Sequence, residues 1–257
     1  MIRRPTHEAS ALVLRLIDYG ESDRIVTFFT DRLGKLKGIA KGARKSRRRF
    51  ANALEFFVLT RVYFSRGTRE GLFFIESCEA EDHYPEIRNN LRKTLCASHL
   101  IELLDHFTVE GKKNVRLFRL AVDFLKLIEE EDCEEESIRL FEYRLLRLSG
   151  FEPILNRCVT CGETLANIPA PLFSTREGGI RCGRCARTDL DAYPVSAGTL
   201  KTLITGSTIE TGKVGRLAFS ERTLRESELI LGSFIRHITG RELKSLRIFH
   251  QVKMMDR

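Results

Sequence analysis

Four cysteines are the residues of this sequence whose type and spacing most clearly predict chemistry. Cys158 and Cys161 form one CxxC pair, and Cys182 and Cys185 form a second pair after twenty intervening residues. Two residues between cysteines let one tight turn direct both sulfurs to the same ion, so this spacing is typical of a four-thiolate zinc site. Four thiolates leave no coordination position for water or substrate. The pattern predicts one structural Zn²⁺ per chain; a redox-active CxxC pair and a zinc surface that reads nucleic acid are the alternatives.

The second notable cluster is a basic segment near the front of the chain. The first 80 residues carry 16 Lys and Arg against 9 Asp and Glu, whereas the remaining 177 carry 27 against 26, within a net charge of +8. Residues 35–49 hold eight basic side chains and no acid, which is typical of a segment that faces a polyphosphate. A solvated loop without a partner is the alternative. The predicted nucleic-acid contacts are these eight cations and one ring that could stack on a base: Lys35, Lys37, Lys41, Arg44, Lys45, Arg47, Arg48, Arg49 and Phe50.

Short strands must position the basic segment. Apolar, β-branched and aromatic residues with glycine-rich turns predict strands at residues 9–18, 23–30, 35–40, 54–64 and 71–78. Five short, basic strands in about eighty residues predict a small closed barrel of the OB type. In such a barrel Lys and Arg follow phosphates while aromatic rings receive bases, so single-stranded nucleic acid is the expected ligand.

Helices must position the cysteines. From Pro85 onward, apolar residues recur every three or four positions, with breaks at Gly111, Gly150 and Gly240, which predicts amphipathic helices. The fold class is therefore α+β and multidomain. We predict an OB-fold nucleic-acid-binding domain at 1–82, a helical domain at 83–155 and 190–257, and a zinc-binding insert at 156–189.

The last helices carry cations beside an aliphatic face. Such a surface could receive an acidic peptide with an apolar end, and internal packing of the helix is the competing account. The candidates for contacting the carboxylates of that peptide are Arg236, Arg241, Lys244 and Arg247.

Composition and motifs argue against a membrane protein and against an enzyme. With 42% hydrophobic and 30% charged residues, no signal sequence and no long apolar run, the chain is expected in the cytoplasm. The segment 206–214 resembles a phosphate-binding loop, but it has five residues between its glycines where four are required, and Val214 stands where a Ser or Thr must hold magnesium. The histidines show no metal-binding or nucleophile spacing.

Several stretches together resemble a known family. The N-terminal "ALVLRLIDYGESDRIVTFFTDRLGKLKGIAKGAR", the four-cysteine insert after "LLRLSGFEPILNRC", and the terminal "HITGRELKSLRIF" resemble the RecO family of bacterial recombination mediators. The resemblance spans nearly the whole chain. It aligns the basic Gly-Lys-Gly-x-Arg stretch of the family with residues 38–44 and its zinc ligands with the four cysteines.

The resemblance implies a function in recombinational DNA repair without catalytic turnover. It implies binding to single- and double-stranded DNA, annealing of complementary strands, contact with the C-terminal tail of single-stranded-DNA-binding protein, and partnership with RecR in loading RecA. An RNA-binding or transcription-associated zinc protein is the alternative from the residues themselves, because the same barrel and cysteines would serve it. A metal-dependent nuclease is a third possibility. It predicts carboxylates clustered in a cleft, whereas the acids of this sequence occur in one run or are scattered along the chain.

Overall fold

The computed structural model describes residues 6–67, 71–131, 135–186 and 191–255. The chain divides into two compact units, residues 1–132 and residues 133–257. Among the described residues, the first unit holds a five-stranded barrel and three helices, and the second holds four helices and a small sheet.

The first unit begins with the predicted barrel. Its strands are β1 (His7–Tyr19), β2 (Asp23–Thr30), β3 (Gly34–Ala40), β4 (Leu59–Arg66) and β5 (Phe73–Asp82). They close in the order β1-β2-β3-β5-β4, and the β3–β5 pair is parallel. The OB-like barrel followed by helices confirms the predicted fold class. The predicted start of the fourth strand at residue 54 was wrong, because residues 54–58 form turns in which Phe57 has a φ of 62°.

The loop between β3 and β4 closes one end of the barrel. It is tied to the β1–β2 turn by Arg44 N–H, which donates to Ser22 O at 3.0 Å, and to β5 by Cys78 N–H, which donates to Arg49 O at 2.8 Å. Apolar side chains of the loop join the barrel core. This burial holds the basic segment against the barrel.

Three helices complete the first unit: α1 (Pro85–Asn89), α2 (Leu91–Phe107) and α3 (Val115–Glu130). Asn90 ends α1 and caps α2, because its side-chain oxygen accepts from Arg92 N–H at 2.9 Å and Lys93 N–H at 3.2 Å. Pro85 stands in the first turn of α1, as predicted.

Polar and aromatic contacts attach these helices to the barrel. Asp105 of α2 accepts from Arg15 Nε at 2.5 Å and from Lys35 Nζ at 3.1 Å. Phe29 of β2 packs edge-on against Phe118 of α3, with ring centroids 5.5 Å apart. Gly34, at a φ of 70°, lies where an added Cβ would be 2.0 Å from Lys112 O, so this approach of the chain requires glycine.

The second unit contains α4 (Glu135–Leu148), α5 (Ala197–Gly206), α6 (Glu221–Thr239) and α7 (Lys244–Met255). Ser196 caps α5 and Gly240 ends α6 at a φ of 69°, as the sequence predicts. Glu226 of α6 extends the α5 cap: its carboxylate accepts from Ser196 N–H at 2.8 Å and from Thr199 Oγ1 at 2.6 Å.

A small sheet lies between α4 and α5 in the chain. Its strands pair in the order β7-β6-β8, with β6 (Leu172–Ser174), β7 (Gly179–Arg181) and β8 (Tyr193–Pro194). Phe173 is fully buried and meets Phe234 of α6 edge-on at 6.2 Å. The cysteine segment is therefore packed on α6.

The domain limits predicted from the sequence lie where the hydrophobic pattern changes from strand to helix. The two compact units are instead defined by contacts within the fold, and these contacts group α1–α3 with the barrel. The division at 82, 155 and 190 stays a prediction. Among the described helices, none is long and apolar enough to cross a membrane.

Candidate nucleic-acid interface and metal centre

The four predicted cysteines converge on one point. The sulfurs of Cys158, Cys161, Cys182 and Cys185 all lie within 4.8 Å of one another, and those of Cys161 and Cys182 are 3.8 Å apart. A tetrahedral ion with metal–sulfur bonds of about 2.3 Å needs sulfurs about 3.8 Å apart. The donor set and its dimensions therefore fit a four-thiolate metal site.

Tight turns position each pair of sulfurs. In the first turn, Gly162 has a φ of 77° and its N–H donates to Cys158 O at 2.9 Å. In the second, Cys185 N–H donates to Cys182 O at 3.0 Å. The turns are held side by side because Val159 N–H donates to Ile180 O of β7 at 2.9 Å. Gly162 uses its backbone freedom, whereas Gly183, which lies between Cys182 and Cys185, does not adopt a positive φ.

The protein environment prepares these thiols unequally. Burial raises the pKa of Cys158, but N–H donors from Cys161, Cys182 and Thr160 outweigh it and lower that pKa to about 6. The pKa of Cys185 is raised to about 12, first by its hydrogen bond with the Cys182 sulfur and then by burial. Four thiolates at this spacing repel one another, and a bound cation removes that repulsion.

The cations of the basic segment divide into those bound to other groups of the protein and those exposed without such a contact. Lys35 is occupied: its side chain is only 13% exposed and its ammonium binds the Asp105 carboxylate and the Asp105 carbonyl oxygen. Its charge is neutralised inside the first unit. Lys35 is therefore not available for the nucleic-acid contact that the sequence predicted for it.

Two arginines of the segment hold the loop in place. Arg49 donates from Nη2 to Lys41 O at 2.7 Å and from Nη1 to Glu76 O at 3.4 Å. Arg44 lies 3.5 Å from the Asp18 carboxylate and donates to Glu21 O at 3.4 Å. Both guanidinium groups fasten the loop, and both residues remain exposed.

The remaining five cations are exposed on β3 and on the loop that follows it. They are Lys37, Lys41, Lys45, Arg47 and Arg48. The strand β5, which pairs with β3, carries the opposite charge. Glu79 and Glu81 of β5 are exposed, and Glu81 pairs with Arg61 of β4 at 2.6 Å. The exposed cations of β3 and its following loop and the exposed acids of β5 thus belong to different elements of the barrel.

Phe50 is the predicted site residue that the structure corrects. Its ring is 4% exposed and packs in the barrel core beneath the Arg49 guanidinium, which lies 5.0 Å from the ring centroid. A base does not reach a ring buried in this way. Phe50 joins Ala43, Ala53 and Leu54 of the same loop in this core, so burial in the barrel fixes the position of the ring.

Sequence reasoning missed the rings that are exposed in the first unit. Tyr19 is 55% exposed at the end of β1, and Phe56 is 39% exposed. Tyr19 is the last residue of β1 and directly precedes the turn at Gly20. Its position at a strand end could have indicated from the sequence that the ring is exposed.

The predicted peptide contacts separate into two groups. Arg236 and Arg241 line a cavity of about 460 Å³ together with Leu229, Leu243 and Leu246. Lys244 and Arg247 are exposed on α7 and are not part of this lining. Arg236 lies 3.6 Å from the Glu242 carboxylate, so acids of the chain share the cavity.

Comparison with known proteins finds family models and relatives that match most of this chain. The sequence-family model for the N-terminal region of recombination protein O matches residues 1–84. The family model for its C-terminal region matches residues 88–247. A protein of Syntrophus aciditrophicus named DNA repair protein RecO is 46% identical over 99% of both chains. A protein of that name from Geobacter metallireducens is 36% identical over 95% of this chain and 96% of its own. A third, from Halalkalibacterium halodurans, is 29% identical over 97% of this chain and 96% of its own.

Together the two family models reach the barrel, the helices and the cysteine segment, and each of these relatives aligns over at least 95% of this chain. They indicate a DNA repair protein, and the chain belongs to the recombination protein O (RecO) family.

Proposed function

We propose that this protein is a non-enzymatic recombination mediator that binds single- and double-stranded DNA and anneals complementary strands. The observation that carries the proposal is the separation of charge on the barrel. Five exposed cations gather on β3 and the following loop, whereas β5 presents Glu79 and Glu81. Family membership supports DNA as the polyanion.

Annealing follows from charge neutralisation. Each of two complementary strands carries a phosphate charge at every nucleotide, and their repulsion slows the first base pairs. Cations that neutralise phosphates of both strands lower that repulsion and release counterions. The surface candidates are Lys37, Lys41, Arg44, Lys45, Arg47, Arg48 and Arg49; the last is the least available because it bonds two carbonyl oxygens.

The cysteine site supports Zn²⁺ with a structural role. Zn²⁺ favours four thiolates in a tetrahedron, and the sulfur spacing fits its bond lengths. Cys158, Cys161, Cys182 and Cys185 would hold the ion and would leave no position for substrate. This closed donor set also argues against catalysis by the metal itself.

The cavity beside α6 is our candidate site for an acidic, apolar-ended peptide. Its leucines would bury apolar side chains while Arg236 and Arg241 meet carboxylates. Lys244 and Arg247 would contribute longer-range attraction. The C-terminal tail of single-stranded-DNA-binding protein has this chemistry. We propose that docking there brings the barrel to coated DNA, where the protein acts with RecR in loading RecA, in the cytoplasm at the nucleoid.

A strand-annealing assay tests the proposal. The triple variant Lys41→Glu/Arg44→Glu/Arg47→Glu should lose annealing and binding to DNA while it keeps its metal. The control Arg176→Glu/Lys201→Glu/Lys213→Glu changes net charge equally at exposed cations of the second unit and should anneal as the wild type does. Equal loss in both variants would contradict a local surface. Tighter binding to RNA than to DNA of matched sequence would favour the RNA-binding alternative.

A further inference from the structure

The outward face of the first three strands carries an apolar row. Ile17 of β1 lies opposite Ile25 of β2, and Ile25 lies opposite Ile39 of β3. Residues directly opposite one another share a face of the sheet, so these three side chains form a row across it. Ile17 is 54% exposed, and Ile25 and Ile39 are half-buried. The row therefore exposes apolar surface to solvent beside the basic loop.

An exposed ring extends the row. Tyr19 follows Ile17 by two residues, so both side chains point to the same face of β1. Among the Phe and Tyr side chains that the structure describes, Tyr19 has the largest exposed fraction. Asp23, opposite Tyr19, is turned to the loop, because its Oδ1 accepts from Gly42 N–H at 2.8 Å. The acid is thus engaged and the ring is open.

Cations border the row on its β3 side. Lys37 precedes Ile39 by two residues and Lys41 follows it by two, and both are exposed. Two strand spacings separate β3 from β1, a distance of about 10 Å. On β1, Arg15 precedes Ile17 by two residues and is bound to Asp105. Charge therefore lies along one border of the row and the open ring along the other.

This arrangement matches a nucleotide whose base is unpaired. Its phosphate would lie at the lysines, and its base would lie over the isoleucines and against the ring. A duplex keeps its bases stacked on one another and offers mainly its phosphates. The charged border favours a polyanion over an apolar peptide as the occupant.

We propose that Tyr19, with Ile17, Ile25 and Ile39, is a platform for the unpaired bases of single-stranded DNA. The proposal rests on the proposed function of the barrel as a DNA-binding surface, and it assigns the contacts with the bases of single strands to this sheet face. The loop cations bind phosphates of either form of DNA, whereas the platform binds bases.

Three labelled ligands of equal length, about 16 nucleotides, test the platform by fluorescence anisotropy: a single strand, an abasic strand with the same phosphates, and a duplex. The wild type should bind the single strand more tightly than the abasic strand. Tyr19→Ala should weaken binding to the single strand at least about fivefold, the effect of one lost stack. Binding to the other two ligands should change by less than about twofold.

Two further variants keep the test independent of folding. Tyr19→Phe retains the ring and should bind as the wild type does, and Ile17→Ala should weaken single-strand binding in the same direction as Tyr19→Ala. Tyr63→Ala, on β4 beside Glu79, is the control and should leave all three affinities unchanged. Melting temperatures confirm that each variant is folded.

The outcomes separate the platform from the proposed function. Equal binding of the normal and abasic strands by the wild type would overturn the platform, as would equal weakening of all three ligands by Tyr19→Ala. In either case the barrel would still bind DNA through its cations. If Lys41→Glu/Arg44→Glu/Arg47→Glu binds all three ligands as tightly as the wild type, the proposed function itself fails.

Discussion

Neutralising two lysines of the exposed basic surface should flatten the salt dependence of DNA binding by a calculable amount. Each phosphate neutralised on a single strand contributes about −0.7 to the slope of log affinity against log salt concentration. The five cations without an assigned structural contact, namely Lys37, Lys41, Lys45, Arg47 and Arg48, would together give a slope of about −3.5. Lys37→Gln/Lys41→Gln leaves three of these contacts and a slope of about −2.1.

Affinities measured by anisotropy from about 50 to about 200 mM NaCl give the slopes. Over that range the wild type should lose about a hundredfold in affinity and the double variant only about twentyfold. Arg176→Gln/Lys201→Gln, at two exposed cations of the second unit, is the matched control and should keep the wild-type slope. If the wild-type and Lys37→Gln/Lys41→Gln slopes agree within about 0.3, these lysines do not bind phosphates and the reasoning is refuted.

Three further predictions concern stability. Removing the metal with a chelator should lower the melting temperature of the second unit, because the four thiolates lose the cation that offsets their repulsion; a metal-free protein that keeps its melting temperature but loses DNA binding would contradict a structural role. Burial raises the pKa of Glu226, but hydrogen bonds from Ser196, Thr199 and Arg222 outweigh it and hold that pKa at about 2, below the ordinary 4.5. The carboxylate therefore stabilises the fold above about pH 4.5, and about 2 kcal/mol of its contribution should be lost by about pH 3 in denaturant titrations; Glu226→Gln should lack this loss, and parallel pH curves for the two proteins would refute it. Gly34→Ala should destabilise the protein by more than about 2 kcal/mol, because its Cβ would collide with Lys112 O. Gly20→Ala, also at positive φ but with nothing within 4 Å, is the control and should cost about 1 kcal/mol.

Local sequence patterns were sufficient where one physical requirement dominates. The CxxC spacing constrains four sulfurs strongly enough to predict their convergence. The strand–turn–strand pattern likewise gave the β1–β2–β3 meander, because alternation and the Gly20 and Gly34 turns agree.

Other features depend on contacts that sequence alone does not display. Lys35 looks like its basic neighbours, and only the fold brings Asp105 to its ammonium, seventy residues away in the chain. Phe50 looks like a ring exposed among cations, and only the closed barrel provides the volume that buries it. The start of β4 was misplaced because the mainly apolar residues 54–58 form turns, in which Leu54 and Val58 are buried.

Hydrogen-exchange mass spectrometry with and without single-stranded DNA tests the central claim most directly, namely that the cations of β3 and its following loop form the DNA-binding surface. The account predicts that DNA slows exchange in residues 34–50 and leaves exchange on the acidic strand β5 unchanged. Protection of β5 without protection of residues 34–50 would contradict it.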